Sequence, residues 1–172
     1  MAETLTVLKT RRSCRAYKPE SIEEEKLNAI LEAGTYAATG MGKQSPIIIV
    51  VKDNEIREKL AKMNAAIMGM DIDPFYGAPE LLIVLANKSI PTYIYDGSLV
   101  MGNMMNAAAD LGVASCWVHR AKEEFESEEG KAILKQLGIE GDYEGIGHLI
   151  LGYPAKPVGS PAPRKADYVY KI

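Results

Sequence analysis

The chain of 172 residues, 47% of them hydrophobic, is sized for one domain with a sizeable core. Its net charge of -3 gives no whole-molecule attraction to nucleic acid, so any anion site has to come from local clusters of Arg and Lys. Its apolar runs are strand-sized, far short of the roughly 20 residues a membrane helix needs, and its two cysteines, Cys14 and Cys116, lack the CxxC spacing of a zinc site or the number for a disulfide framework.

The stretch Met1 to Leu8 carries Glu3 and no long apolar run, so no secretory leader is expected and the cytoplasm is the expected location. Glu3 to Thr10 reads as a short helix. Ser21, followed by Glu23, Glu24 and Glu25, has the pattern of an N-cap, and Ile22, Leu27, Ile30 and Leu31 keep helical spacing to about Ala37. After a glycine-rich loop, Pro46 to Val51 is β-branched and too short for a helix, hence a buried strand. Asp53 can cap the next helix, which runs to about Met68. Asp71 to Pro79 holds two prolines and a glycine and is a loop, and Leu81 to Ala86 is the second buried strand. From Asp96 to Leu111 apolar residues, among them Leu99, Val100, Met101, Met104 and Ala108, occupy most of a helix's circumference, which predicts a core or interface helix. Val113 to Val118 is a third strand, Lys122 to Leu137 a charged surface helix, and Gly145 to Leu151 a fourth strand. The tail from Tyr153 to Pro163 has four prolines and no periodicity, so residues of about 153–172 are expected to wrap over a surface as the extended arm of a single domain spanning 1–172. Strands alternating with helices predict a helix-flanked sheet.

Arg11, Arg12, Ser13, Cys14 and Arg15 place three guanidinium groups and a hydroxyl within five residues, where the first helix ends. Such a set can hold a phosphate through charge-assisted, bidentate hydrogen bonds, or it can be a solvated basic helix end favoured by the helix dipole. Arg164 and Lys165, far away in sequence, shift the balance toward an anion, because a slightly acidic chain has little other reason to order such a tail. The loop Ala37 to Gln44 imitates a P-loop only in Gly42-Lys43. Ala37 stands where the first glycine is needed and Gln44 where Ser or Thr is needed, and the loop leads from a helix to a strand, the reverse of a P-loop. Two histidines supply no Ser-His-Asp set, no HExxH and no metal-ligand cluster, so neither a catalytic side chain nor a metal is expected.

Arg11-Arg12-Ser13, followed by Arg15 and Tyr17, resembles the opening motif of the nitroreductase family, which reads Arg, Arg or His, Ser, any residue, then Arg or Lys. The likeness extends over essentially the whole chain. Ala37 to Gln44 lines up with the family's loop between helix and strand, Tyr76 to Pro79 with the stretch before its second strand, Asp110 to Trp117 with its LG-x-x-SCW strand entry, and Arg164-Lys165 with its basic C-terminal pair. Order and spacing together make the match specific.

The resemblance implies an α+β, three-layer fold with a central mixed sheet flanked by helices and one core or interface helix. It also implies an obligate homodimer with FMN at the subunit interface, NADH or NADPH as electron donor, and a nitroaromatic, quinone or related small-molecule acceptor served in ping-pong fashion. By position, Arg11, Arg12, Arg164 and Lys165 would clamp the FMN phosphate, with Ser13 on the phosphate or ribityl chain and Arg15 at the N1 and O2 edge of the flavin. Thr39, Gly40 and Gln44 would approach from the partner subunit, Val118, His119 and Arg120 would offer main-chain N–H groups to N5 and O4, and Asn64 would bond the pyrimidine edge. The chain departs from many members in carrying Ala38, Gly42 and Pro46 where Pro, Asn and Trp are common, which implies a more open wall over the flavin. A non-catalytic flavin-binding or sensing protein, and a dehydrogenating or dehalogenating specialist of the same family, stay open as alternatives. No nucleic-acid or membrane partner is expected.

Overall fold

The computed structural model describes residues 3–172, so Met1 and Ala2 of the stretch read against a leader lie outside the described residues. In chain order the elements are α1 (Thr4–Thr10), α2 (Glu24–Thr35), β1 (Pro46–Val51), α3 (Asn54–Met68), β2 (Glu80–Asn87), α4 (Tyr93–Asp110), β3 (Ala114–Val118), α5 (Ala121–Glu126), α6 (Glu128–Gln136) and β4 (Tyr143–Gly152). Among the described residues no helix is long and apolar enough to cross a membrane.

β2 is buried along nearly its whole length because helices cover both faces of the sheet. The two-residue alternation of a strand sends Leu81, Ile83 and Leu85 into one core with Leu60 of α3, Phe125 of α5 and Leu134 of α6. Leu82 and Val84 go to the opposite core with Leu27 and Ile30 of α2 and Met101 and Met104 of α4. The result is the expected three-layer α+β arrangement. Its sheet, however, is antiparallel rather than mixed, in the order β1-β2-β4-β3. β2 and β3 run in the same direction, but β4 inserts between them, antiparallel to both, so among the described residues no two neighbouring strands are parallel. The parallel pairing that does occur is an isolated bridge between Ser13 and Ser115.

Two local readings of the sequence are corrected. Ser21 does not cap α2, which begins at Glu24. Ile22 is drawn into the core and the Glu23 carboxylate is engaged by the Tyr153 hydroxyl and by Lys26, and the backbone is still extended at Glu23. That engagement, led by the Tyr153 hydroxyl, holds the Glu23 carboxyl at about 2, below its ordinary 4.5. The charged surface helix expected over 122–137 is two helices, α5 and α6, broken at Ser127. Ser127 is extended, its hydroxyl donates to the Glu124 carbonyl at 2.6 Å and accepts from the Gly130 N–H at 3.1 Å. Gly130 lets α6 cross the end of α5, since a Cβ there would lie 2.1 Å from the Glu124 carbonyl oxygen. The break turns Glu124 and Phe125 inward, where both are buried. Asp53 caps α3 as expected, accepting from the Ile56 N–H at 2.9 Å.

Candidate functional site

The basic cluster lies on a strap, residues 11–18, laid between the start of β3 and the end of β4. The Cys14 N–H donates to the Ser115 carbonyl at 3.0 Å, Lys18 N–H to the Tyr153 carbonyl at 2.9 Å, and Ala155 N–H to the Ala16 carbonyl at 2.9 Å. Arg11 and Arg12 line a cavity of about 240 Å3 with Ser115, Pro154 and Val158. Arg12 donates to the Arg11 carbonyl and, at 2.6 Å, to the Lys9 carbonyl at the end of α1. Its Nε and the Nη1 of Arg11 are buried with no protein partner. Cys14 and Cys116 are both free and buried on this strap and strand, and burial pushes the Cys116 thiol up.

A second cavity, of about 210 Å3, lies where β3 turns into α5. Arg15, Val118, His119 and Arg120 line it with Met68, Ile72, Pro74 and Tyr76. Arg120 adopts a left-handed backbone, φ 81°, which a residue bearing a Cβ rarely holds. Two buried contacts fix the turn. Asn64, fully buried on α3, donates its Nδ2 to the His119 carbonyl at 2.8 Å, and its Oδ1 has no partner. His148, paired across the sheet with Val118, sets its Nε2 2.8 Å from Glu124 Oε2, both side chains being without exposure. The His119 ring lies 5.9 Å from the Trp117 ring and is exposed.

The loop from Thr39 to Ser45 is organised by Asp96 in the first turn of α4. One carboxylate oxygen accepts the Gly40 N–H at 2.9 Å, and the other accepts the hydroxyls of Ser45 at 2.8 Å and Thr92 at 3.0 Å. Burial draws the Asp96 carboxyl upward, but these three donors outweigh it and leave it below its ordinary value. Gly40 is packed against Thr92, whose hydroxyl would be 2.2 Å from a Cβ. The anchored loop carries positive φ at Met41 and Gln44 as well as at Gly42, and Met41 is 83% exposed. Thr39 and Gln44 border a groove of about 480 Å3 that also takes in Leu31, Pro46, Ile47 and Ile48.

The profile of the nitroreductase family matches residues 8–70 and 70–153. This chain belongs to the nitroreductase family. A protein of Archaeoglobus fulgidus named "Putative NADH dehydrogenase/NAD(P)H nitroreductase" is 33% identical over 159 residues, 90% of this chain and 87% of that one. Among solved structures, a nitroreductase with bound FMN from Bacteroides fragilis superposes with a TM-score of 0.89 at 29% identity, with full coverage of both chains. A nitroreductase with bound FMN from Desulfitobacterium hafniense does so with 0.87 at 28% identity, again with full coverage.

Within this nitroreductase-family chain the residues singled out in sequence fall into separate places. Arg11, Arg12 and Ser13 gather beside Ser115, while Arg15, Asn64, Val118, His119 and Arg120 surround the β3–α5 turn. Thr39, Gly40 and Gln44 border neither cavity, and Arg164 and Lys165 sit in an exposed tail, where Arg164 bonds the Ala162 carbonyl and Lys165 lies over the Tyr168 ring. Asp96, Ser45 and the Glu124–His148 pair were not singled out in the sequence. The signal for Asp96 was an acid at the head of an otherwise apolar helical stripe. For Glu124 and His148 there was none, because a glutamate in a charged segment and a histidine in a strand are ordinary.

Proposed function

We propose that the chain is an FMN-dependent oxidoreductase that takes electrons from NADH or NADPH and delivers them to a nitroaromatic, quinone or related acceptor, working as a homodimer. The observation that carries this reading is the pair of buried guanidinium nitrogens, Arg11 Nη1 and Arg12 Nε, left unsatisfied beside the cavity under the strap. Each such group costs about 1–3 kcal/mol while it stays unpaired, and a terminal phosphate would satisfy both. The buried, unpartnered Asn64 Oδ1 is an acceptor suited to the N–H of a flavin's pyrimidine edge. The FMN bound in the two related structures supports the same ligand.

Arg11, Arg12 and Ser13 would hold the phosphate, and Val158, which lines the same cavity, leads the tail past it. Arg164 lies six residues further on, and six extended residues reach roughly 20 Å, so Arg164 and Lys165 can close on the same anion. Arg15 would lie along one edge of the ring system and the main chain of Val118, His119 and Arg120 along the other. The chemistry supplied by bound FMN is two-electron transfer, from a nicotinamide to an acceptor that follows it in the same place. The chain contributes binding, orientation and charge, and His119 serves as a contact with no proton to move.

The homodimer rests on surfaces that a single copy leaves open. Ile94, Tyr95 and Leu99 are exposed on α4, β1 is a half-buried aliphatic edge strand, and the tail ends in exposed Tyr168, Val169 and Tyr170. An exposed apolar edge is normally covered, and the end of a second copy's tail has the extended, β-prone chemistry to cover it. In that dimer Thr39, Gly40 and Gln44 complete the partner's site. Purification tests the proposal. The protein should be yellow and dimeric in sedimentation, release FMN on denaturation, bleach anaerobically with NADH or NADPH, and regain colour with a nitroaromatic. Released FAD, a colourless protein that FMN does not stabilise, or a yellow one that neither nicotinamide bleaches would overturn it.

A further inference from the structure

The turn between β3 and α5 places a side chain where the backbone alone would favour glycine. Arg120 has φ 81° and ψ 7°, a conformation that glycine adopts freely and a residue with a Cβ does not. The turn has no room to relax. Its His119 carbonyl is held by the fully buried Asn64, and Val118 before it pairs with His148, which contacts buried Glu124 on the helix that follows. Glycine would suit this backbone without strain, so what the strain maintains is the arginine side chain.

That side chain is half-buried and, among the described residues, makes no hydrogen bond or ion pair. The next cation along the chain is engaged: Lys122, which borders the larger cavity with Arg120, is 3.2 Å from Glu144. Arg120 stands on the rim shared by the 210 Å3 cavity and a larger one of about 600 Å3 bordered by Ile94, Trp117 and Ile146. The smaller cavity has two guanidinium groups, Arg15 and Arg120, no carboxylate in its lining, and apolar walls from Met68, Ile72 and Pro74. In the larger one Glu144 is neutralised by Lys122, which leaves Glu123 as its one uncompensated acid. A free guanidinium over apolar walls, next to the exposed His119 ring, matches a small planar molecule that carries an anionic group.

From this arrangement we infer that Arg120 determines acceptor specificity by binding the carboxylate of an aromatic or unsaturated acid. The inference rests on the flavin reading above and names the substrate class for that site. Arg11 and Arg12 serve a phosphate elsewhere, and a single fork-shaped guanidinium suits a carboxylate.

The test compares 4-nitrobenzoate with 4-nitrobenzamide, which share size and nitro group and differ in charge. Affinities for the FMN-loaded protein are read by titration calorimetry, and kcat/KM with a nicotinamide is read for both acceptors. The parent should prefer the carboxylate by about tenfold, the scale of one charge-assisted contact at a half-exposed site, and the preference should shrink with added salt. Arg120→Gln should abolish it and Arg120→Lys retain part of it. Arg120→Gly should abolish it too while raising Tm, because the backbone strain is released. Equal affinities in the parent, a preference that survives Arg120→Gln, or an effect confined to the KM of the nicotinamide would overturn the inference. A carboxylate preference in a protein that neither nicotinamide reduces would remove the redox reading and leave Arg120 as a carboxylate-binding residue only. Turnover of both acceptors at the same ratio in parent and Arg120→Gln would do the reverse.

Discussion

Replacing Asp96 with asparagine is expected to unfasten the loop from Thr39 to Ser45. The carboxylate is 2% exposed and accepts three hydrogen bonds, one from a backbone N–H and two from hydroxyls. Asparagine keeps the shape but has one acceptor oxygen, so its amide N–H group must face a donor. The Ser45 and Thr92 hydroxyls can rotate toward other acceptors, whereas the Gly40 N–H cannot. Hydrogen bonds to a buried charge contribute about 1.5–3 kcal/mol each, and with partial recovery by the hydroxyls the net loss is about 3 kcal/mol. For a domain of this size that lowers Tm by roughly 6–12 °C. The loop's positive φ values at Met41 and Gln44 then lose the anchor that holds them, and FMN affinity should fall with stability. Mixed dimers locate the effect. If the loop completes the partner's site, a dimer of one Asp96→Asn chain and one Arg12→Ala chain keeps one intact site and about half the bound FMN. If the loop serves its own chain, both sites are damaged. Melting within about 1 °C of the parent, with unchanged FMN content, would refute the anchoring argument.

Other expectations follow from the same contacts. Arg12→Ala or Arg164→Ala should each weaken FMN binding by roughly tenfold to a hundredfold, and the double substitution should depart from additivity by at least about 0.5 kcal/mol, while riboflavin affinity hardly changes. Equal losses for riboflavin and FMN would mean that the two clusters do not share a phosphate. Gly130→Ala sets a Cβ 2.1 Å from the Glu124 carbonyl oxygen, so α5 and α6 must separate. A loss of about 3 kcal/mol or more in denaturant unfolding is expected, and a neutral result would show that the helix crossing is slack. Glu23, held at about 2 against an ordinary 4.5 by the Tyr153 hydroxyl first and Lys26 after it, adds stability above about 4.5 that is lost as pH falls toward about 2. Stability curves of the parent and of Glu23→Gln should therefore converge over that interval, and parallel curves would remove Glu23 from the acid response.

Much of the fold was legible because its strands and helices are self-declaring. The β-branched run at Pro46–Val51 and the capped start of α3 at Asp53 are local signals and both elements form where expected, but β1 is a half-buried edge strand rather than the buried one its apolar run suggests, because it has a neighbour on one side only. The helix break at Ser127 was not legible, because what decides it is the crossing of two helices over Gly130, a contact that no spacing of charges reveals. Strand order was hidden for a similar reason. β4 comes last in the chain yet lies between β2 and β3, and only long-range pairing determines that. In the candidate site the arginines of the strap stood out by density of charge. Asp96 and the Glu124–His148 pair did not, since an acidic side chain turned inward looks the same in sequence as one turned to water.

The strap that carries Arg11, Arg12 and Ser13 is bonded to Ser115 and to residues 153–155, with Tyr17 bridged to Pro154. On the ribosome this has a cost in time. At about 5–20 residues per second, the segment waits on the order of ten to thirty seconds before Pro154 exists for it to lie against. A segment made long before β4 is thus among the last to find its place. Until β4 closes into the middle of the sheet, the nascent chain has its cationic cluster but no cavity beneath it, so the anion binding proposed for that cluster would mark the completion of folding rather than its start.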